Sequence, residues 1–97
     1  MKPIKPVKQR SDAMRKKMAG YLKLRAAFLR SNQTCAVYPW KKAEDVHHMR
    51  GRVGKLLCDV RHWLAVSREG HEKIGREPEW ARRMGYLCAK GQWGNAD

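Results

Sequence analysis

Residues 45–71 read DVHHMRGRVGKLLCDVRHWLAVSREGH and hold every histidine of the chain: His47, His48, His62 and His71. The pair His47 and His48 ends a short β-prone run. HWLAV, at 62–66, is a second such run and opens on His62. Between them Gly51 and Gly54 punctuate a loop and permit tight turns. Ser67 then offers an N-cap for REGHEKI, about two helical turns before Gly75. The spacing predicts strand, loop, strand, helix. Side chains alternate across a strand, so His47 and His48 face opposite ways. They flank an ion more readily than they share it. A helix packed on the hairpin brings His71 to the metal side.

Four histidines of this kind suit phosphodiester hydrolysis. A water must be activated, the charge on the phosphorane neutralised and the leaving oxygen stabilised. A histidine base with a pKa near 6.5 and a divalent cation supply all three. Arg50, Arg52, Lys55 and Arg61 lie beside the histidines as phosphate contacts or as solvated loop charge. GRVG lacks the Gly-Lys-Ser/Thr ending of a nucleotide-binding P-loop, which is rejected.

Beyond this stretch, PEWARRM at 78–84 predicts a short helix, with Pro78 in its first turn and Gly85 past its end. Trp80, Met84, Tyr86 and Leu87 are expected to close the core, and the tail from Cys88 is loop-like. Upstream, residues 11–32 predict a helix capped by Ser11, with Asp12 suited to its dipole. Met14, Met18, Tyr21, Leu22, Leu24, Phe28 and Leu29 share one arc at 100° per residue; Arg15, Lys16, Lys23 and Arg30 take the other side. Gly20 sits on the polar side and weakens this helix by roughly 1 kcal/mol. Residues 35–48 read as a short strand or turn, a break at Pro39, then the strand that carries the histidine pair. Trp40, followed by two lysines, reads as a half-buried core residue, with stacking on nucleic acid as the other reading. Residues 1–10 alternate lysine with proline and apolar residues, a basic arm that either tracks phosphates or is simply solvated.

The 97 residues carry 22 Lys and Arg against 9 Asp and Glu, a net charge of +13. Residues 1–30 alone hold ten bases and one acid. A field of this sign draws polyanions and speeds association with them. A mean hydropathy of −0.78 and the lack of any long apolar run exclude a membrane protein. The N-terminus has charge without the apolar segment of a signal peptide. Cys35, Cys58 and Cys88 are odd in number and widely spaced, so neither a four-ligand zinc nor a disulfide scaffold is expected. They read as small, partly buried hydrophobes in a reducing, cytoplasmic protein.

The pattern resembles the HNH endonucleases, above all the small proteins of this kind from bacteriophages and prophages. The likeness rests on VHH at 46–48, the basic RGRVG loop, RHWLAVSREGH from Arg61 to His71 and EPEWARRMG at 77–85. It covers roughly residues 33–87. It implies an α+β fold, a small ββα-metal core with an N-terminal basic amphipathic helix and a short C-terminal helix. Residues 1–10 would be the arm and 11–97 one nuclease domain, with its motif core at 45–75. By position the resemblance makes His47 and His71 metal ligands and His48 the base. His62 stands where relatives carry the asparagine that orients the base. Asp45 would be outer support or surface. The implied cofactor is a divalent ion, Mg²⁺ first and Mn²⁺, Ni²⁺ or Zn²⁺ as alternatives. The implied substrate is DNA, above all double-stranded, in a bacterial or phage-infected cell, with phage terminase as a partner. Many relatives hold the finger with zinc on two CxxC pairs. Here Cys35 stands near the first pair and Ser67 and Gly70 replace the second, so packing by Trp40, Trp63 and Trp80 is expected to replace the zinc. Two rivals stay open: a DNA- or RNA-binding module that has lost catalysis, and a structural histidine–metal module.

Overall fold

The two strands that carry the histidines are only four residues each, β1 at Asp45–His48 and β2 at Trp63–Val66. They pair antiparallel, with Asp45 opposite Val66 and His48 opposite Trp63. The ladder continues past both ends, where the amide of Glu44 donates to the Val66 carbonyl and that of Met49 to the His62 carbonyl. The structure, a computed structural model, describes residues 12–95. The basic arm at 1–10 and the expected Ser11 cap lie outside the described residues.

Pleating sends Val46, His48, Trp63 and Ala65 to one face and Asp45, His47, Leu64 and Val66 to the other. Each face is covered by helix, which makes the fold α+β. On the first face lies α1, Asp12–Ser31, whose Tyr21 joins Val46, Leu57 and Trp63 in a buried cluster flanked by Met18, Phe28 and Leu29. Trp63 is met edge-on by Tyr21 and Phe28 at ring distances of 5.7 and 5.4 Å. Emptying such an aromatic site costs about 3–5 kcal/mol. The second face carries α2, Arg68–Arg76, and α3, Pro78–Met84. There Cys35, Val66, Ile74 and Ala81 form a second cluster flanked by Leu64, Trp80, Tyr86 and Leu87.

Local chemistry explains the helix ends. The Ser67 side chain accepts from the Gly70 amide, and the Arg68 amide donates to the Glu44 carboxylate. Gly85 takes the left-handed conformation, φ 81°, that terminates α3. In the loop between the strands, Gly51 (φ 99°) and Gly54 (φ 58°) make the expected turns, followed by 3-10 turns at Gly54–Cys58 and Val60–His62.

Several expectations are corrected. Met14, Leu22 and Leu24 are exposed, so only part of the apolar arc of α1 is core. Trp40 is 77% exposed and leans on Tyr38 rather than packing inward. Its turn is closed by the Cys35 amide to the Lys41 carbonyl and the Lys41 amide to the Tyr38 carbonyl, which throws residues 39 and 40 outward. Met84, the last residue of α3, is also exposed. Of the two readings for the segment from Cys35, strand or turn, the turn is the one formed, with a single bridge from Thr34 to Lys42 beside it. His62 ends a 3-10 turn instead of opening β2, and α2 runs through Gly75 to Arg76.

Candidate metal and catalytic site

His47 and His48 do face opposite ways. On the α2 side, the His47 ring lies 5.2 Å from that of His71, in an edge-on arrangement. His71 reaches it because α2, once capped by Ser67, sets Gly70 and Ile74 against the sheet and turns the next residue toward β1. His47 Nε2 is 2.9 Å from the Tyr86 carbonyl oxygen. As the donor there, Nε2 carries the hydrogen and Nδ1 keeps its lone pair for an ion. Asp45 shares this face, with Oδ2 3.7 Å from His71 Nδ1 and Oδ1 3.2 Å from an Arg25 guanidinium nitrogen. Asp45 and His71 also line an open hollow with Arg68 and Glu72.

On the α1 side, His48 is wedged against Tyr21 and Trp63, with ring distances of 5.8 and 5.4 Å. It is 6% exposed. Its Nε2 donates to the Leu57 carbonyl at 3.1 Å, which fixes the tautomer and leaves Nδ1 as acceptor. The Leu57 carbonyl therefore holds this ring. His62 instead faces Asp59, Nε2 to Oδ2 at 3.9 Å, and Asp59 is firmly bound by Arg61.

Both buried imidazoles resist protonation. Burial, then the nearby His71, pushes His47 down to about 4, partly opposed by the Tyr86 carbonyl. Burial likewise lowers His48, with the Leu57 carbonyl opposing and Arg52 and His71 reinforcing. Both rings are neutral near pH 7, the form needed for a ligand or a base. The unfolded His47 takes a proton near 6.5, well before the folded one. Stability is thus full above pH 6.5 and falls as pH drops toward 4, by up to about 3 kcal/mol. Urea melts in EDTA from pH 7.5 to 4.5 should show this decline, with a shallower slope in His47→Gln.

The four basic residues divide. Arg50 donates to the Asn95 carbonyl at 2.6 Å and reaches Gln92, so it pins the C-terminal segment to the loop. Arg61 is spent on Asp59, and this bidentate contact lowers the Asp59 carboxyl to about 2. Arg52 and Lys55 are exposed, with Arg52 lying 5.4 Å over the Tyr21 ring. These two are the better placed to meet a phosphate.

Asp45 shares a face with His47, as their i, i+2 spacing on a strand dictates, and its half-exposed carboxylate is paired with Arg25. The carbonyls of Leu57 and Tyr86 carry no sequence signal. Among the described residues, no group of three or more His, Cys, Asp or Glu side chains is placed to hold a metal ion. The His71 imidazole and the Asp45 carboxylate border an open hollow, with the buried His47 ring next to His71. No described helix is long and apolar enough to cross a membrane. No protein-family model, curated protein or solved structure matches the chain.

Proposed function

We propose that the chain is a divalent-metal-dependent endonuclease of the HNH kind that hydrolyses DNA phosphodiester bonds. The observation that carries this reading is the placement of three histidines about one short hairpin. His47 and His71 meet on one face, and His48 stands beside them on the other with its tautomer fixed. The convergence of Cys35, Ser67 and Gly70 adds support, because these are the positions the HNH resemblance assigns to a lost zinc site. The Ser67 hydroxyl donates to Cys35 Sγ at 3.3 Å, and the Gly70 amide donates to Ser67 Oγ.

In this mechanism His48 Nδ1 takes the proton from the attacking water. His47 and His71 would hold a divalent ion, which would supply neutralisation of the charge that develops on the phosphate and the leaving oxygen. His47 is kept as a ligand by the Tyr86 carbonyl, and Arg52 and Lys55 meet the phosphate backbone. His62 stays beside Asp59, so its part in the reaction is at most indirect.

Supercoiled plasmid with Mg²⁺, Mn²⁺ or Ni²⁺ should be nicked or linearised, and EDTA should stop it. DNA binding without cleavage under all three ions would overturn the enzyme. One observation favours the rival DNA-binding module: His48 is 6% exposed, so water must reach a nearly closed ring. The plasmid assay decides between them.

A further inference from the structure

We propose that Asp45 binds the same ion as His71, and that Arg25 of α1 holds the carboxylate in place for it. This rests on the reading above, since it names a further ligand for that metal centre. Asp45 and His47 are two apart on β1 and so share the face that α2 covers. The 3.7 Å between Asp45 Oδ2 and His71 Nδ1 is too long for a hydrogen bond. Two donors each about 2.1 Å from one ion stand about 3.0 Å apart at an octahedral angle and about 3.4 Å at a tetrahedral one, so a closure of roughly 0.3–0.7 Å brings Oδ2 and Nδ1 into range of a shared ion.

The other carboxylate oxygen is already committed. Arg25 donates to Asp45 Oδ1 at 3.2 Å and to the Glu44 carbonyl at 3.0 Å. One guanidinium thus grips both the strand and the carboxylate, leaving Oδ2 turned toward His71. Two imidazoles alone make a soft, uncharged seat. The carboxylate adds the hard, negative oxygen that Mg²⁺ and Mn²⁺ require. The hollow that Asp45 and His71 share with Arg68 and Glu72 is open, which leaves room for the remaining waters. Because Arg25 belongs to α1, the ion and the docking of that helix act through one side chain.

Calorimetric titration of the full chain with Mn²⁺ and with Ni²⁺, without DNA, tests this. Asp45→Asn should weaken Mn²⁺ at least about tenfold and Ni²⁺ clearly less, because imidazoles hold Ni²⁺ well. His47→Ala should show the reverse bias. Arg25→Met should weaken Mn²⁺ by a smaller factor. Thermal melts accompany each variant, and Asp45→Ser is read in the same way should the asparagine unfold the chain. Wild-type Mn²⁺ affinity in the Asp45 variants overturns the proposal and leaves the nuclease reading standing. Equal losses for both ions overturn it too, since Asp45 would then only orient His71. A wild-type chain that binds neither ion overturns both.

Discussion

His48→Ala is expected to bind DNA as the wild type does and to cut it about 10²–10⁴-fold more slowly, the usual worth of a positioned general base. The reason lies in the two bonds the ring makes available. Nε2 is occupied by the Leu57 carbonyl, so the free lone pair is at Nδ1. Burial holds the pKa below its ordinary value, so the base form is already populated near neutral pH. His48 projects away from the residues proposed to hold the ion, so its loss should leave metal affinity near wild type. It carries none of the exposed charge proposed to meet DNA. The ring also packs on Tyr21 and Trp63, so truncation lowers stability, and His48→Gln controls for volume. Gel shifts in EDTA, plasmid nicking in Mn²⁺ and melting curves together separate these effects. An alanine variant that stays folded and nicks at the wild-type rate would remove His48 from the mechanism.

The hairpin, the two later helices and the opposed histidine pair were legible because each has a local cause. Alternation on a strand, the Ser67 cap, Pro78 and Gly85 act within a few residues of themselves. The burial of α1 was not legible, because it depends on how much sheet there is to cover it. A 20-residue helix is about 30 Å long, while strands of four residues span about 13 Å. Tyr21, Phe28 and Leu29 are therefore at least partly buried, while Met14, Leu22 and Leu24 stay exposed. Trp40 illustrates a different limit: residue type favoured burial, but a hydrogen-bonded turn set the direction. The four basic residues divide for the same reason. Arg50 and Arg61 look like Arg52 in sequence, yet loop geometry hands them Asn95 and Asp59 as partners. At the site, residue types were readable, but the groups that orient them are backbone carbonyls.

Gly70→Ala should cost about 2 kcal/mol and lower the melting temperature by roughly 8–16 °C, although alanine is the better helix former. A methyl group at position 70 would stand 2.7 Å from Cys35 Sγ, 3.2 Å from Val37 Cβ and 3.3 Å from Ser67 Oγ. None of these has an easy way out. Cys35 is 1% exposed, and its sulfur accepts from the Ser67 hydroxyl and the Tyr38 amide. Burial alone would raise that thiol's pKa; these donors outweigh it and bring it below its ordinary value, a sign of how closely they crowd the sulfur. Ser67 cannot turn aside without giving up the N-cap of α2. The helix must instead lift from the sheet, carrying His71 with it, so metal affinity should fall along with stability. Removing the sulfur separates overpacking from any other cause. In a Cys35→Ala background the same Gly70→Ala change should cost clearly less, leaving only the milder contacts with Val37 and Ser67, a coupling of about 1–3 kcal/mol between the two positions. Urea melts of the wild type, both single variants and the double variant measure it. Additive losses would mean that the sulfur is not the obstacle and that α2 is seated by contacts other than this close approach of Gly70 to Cys35.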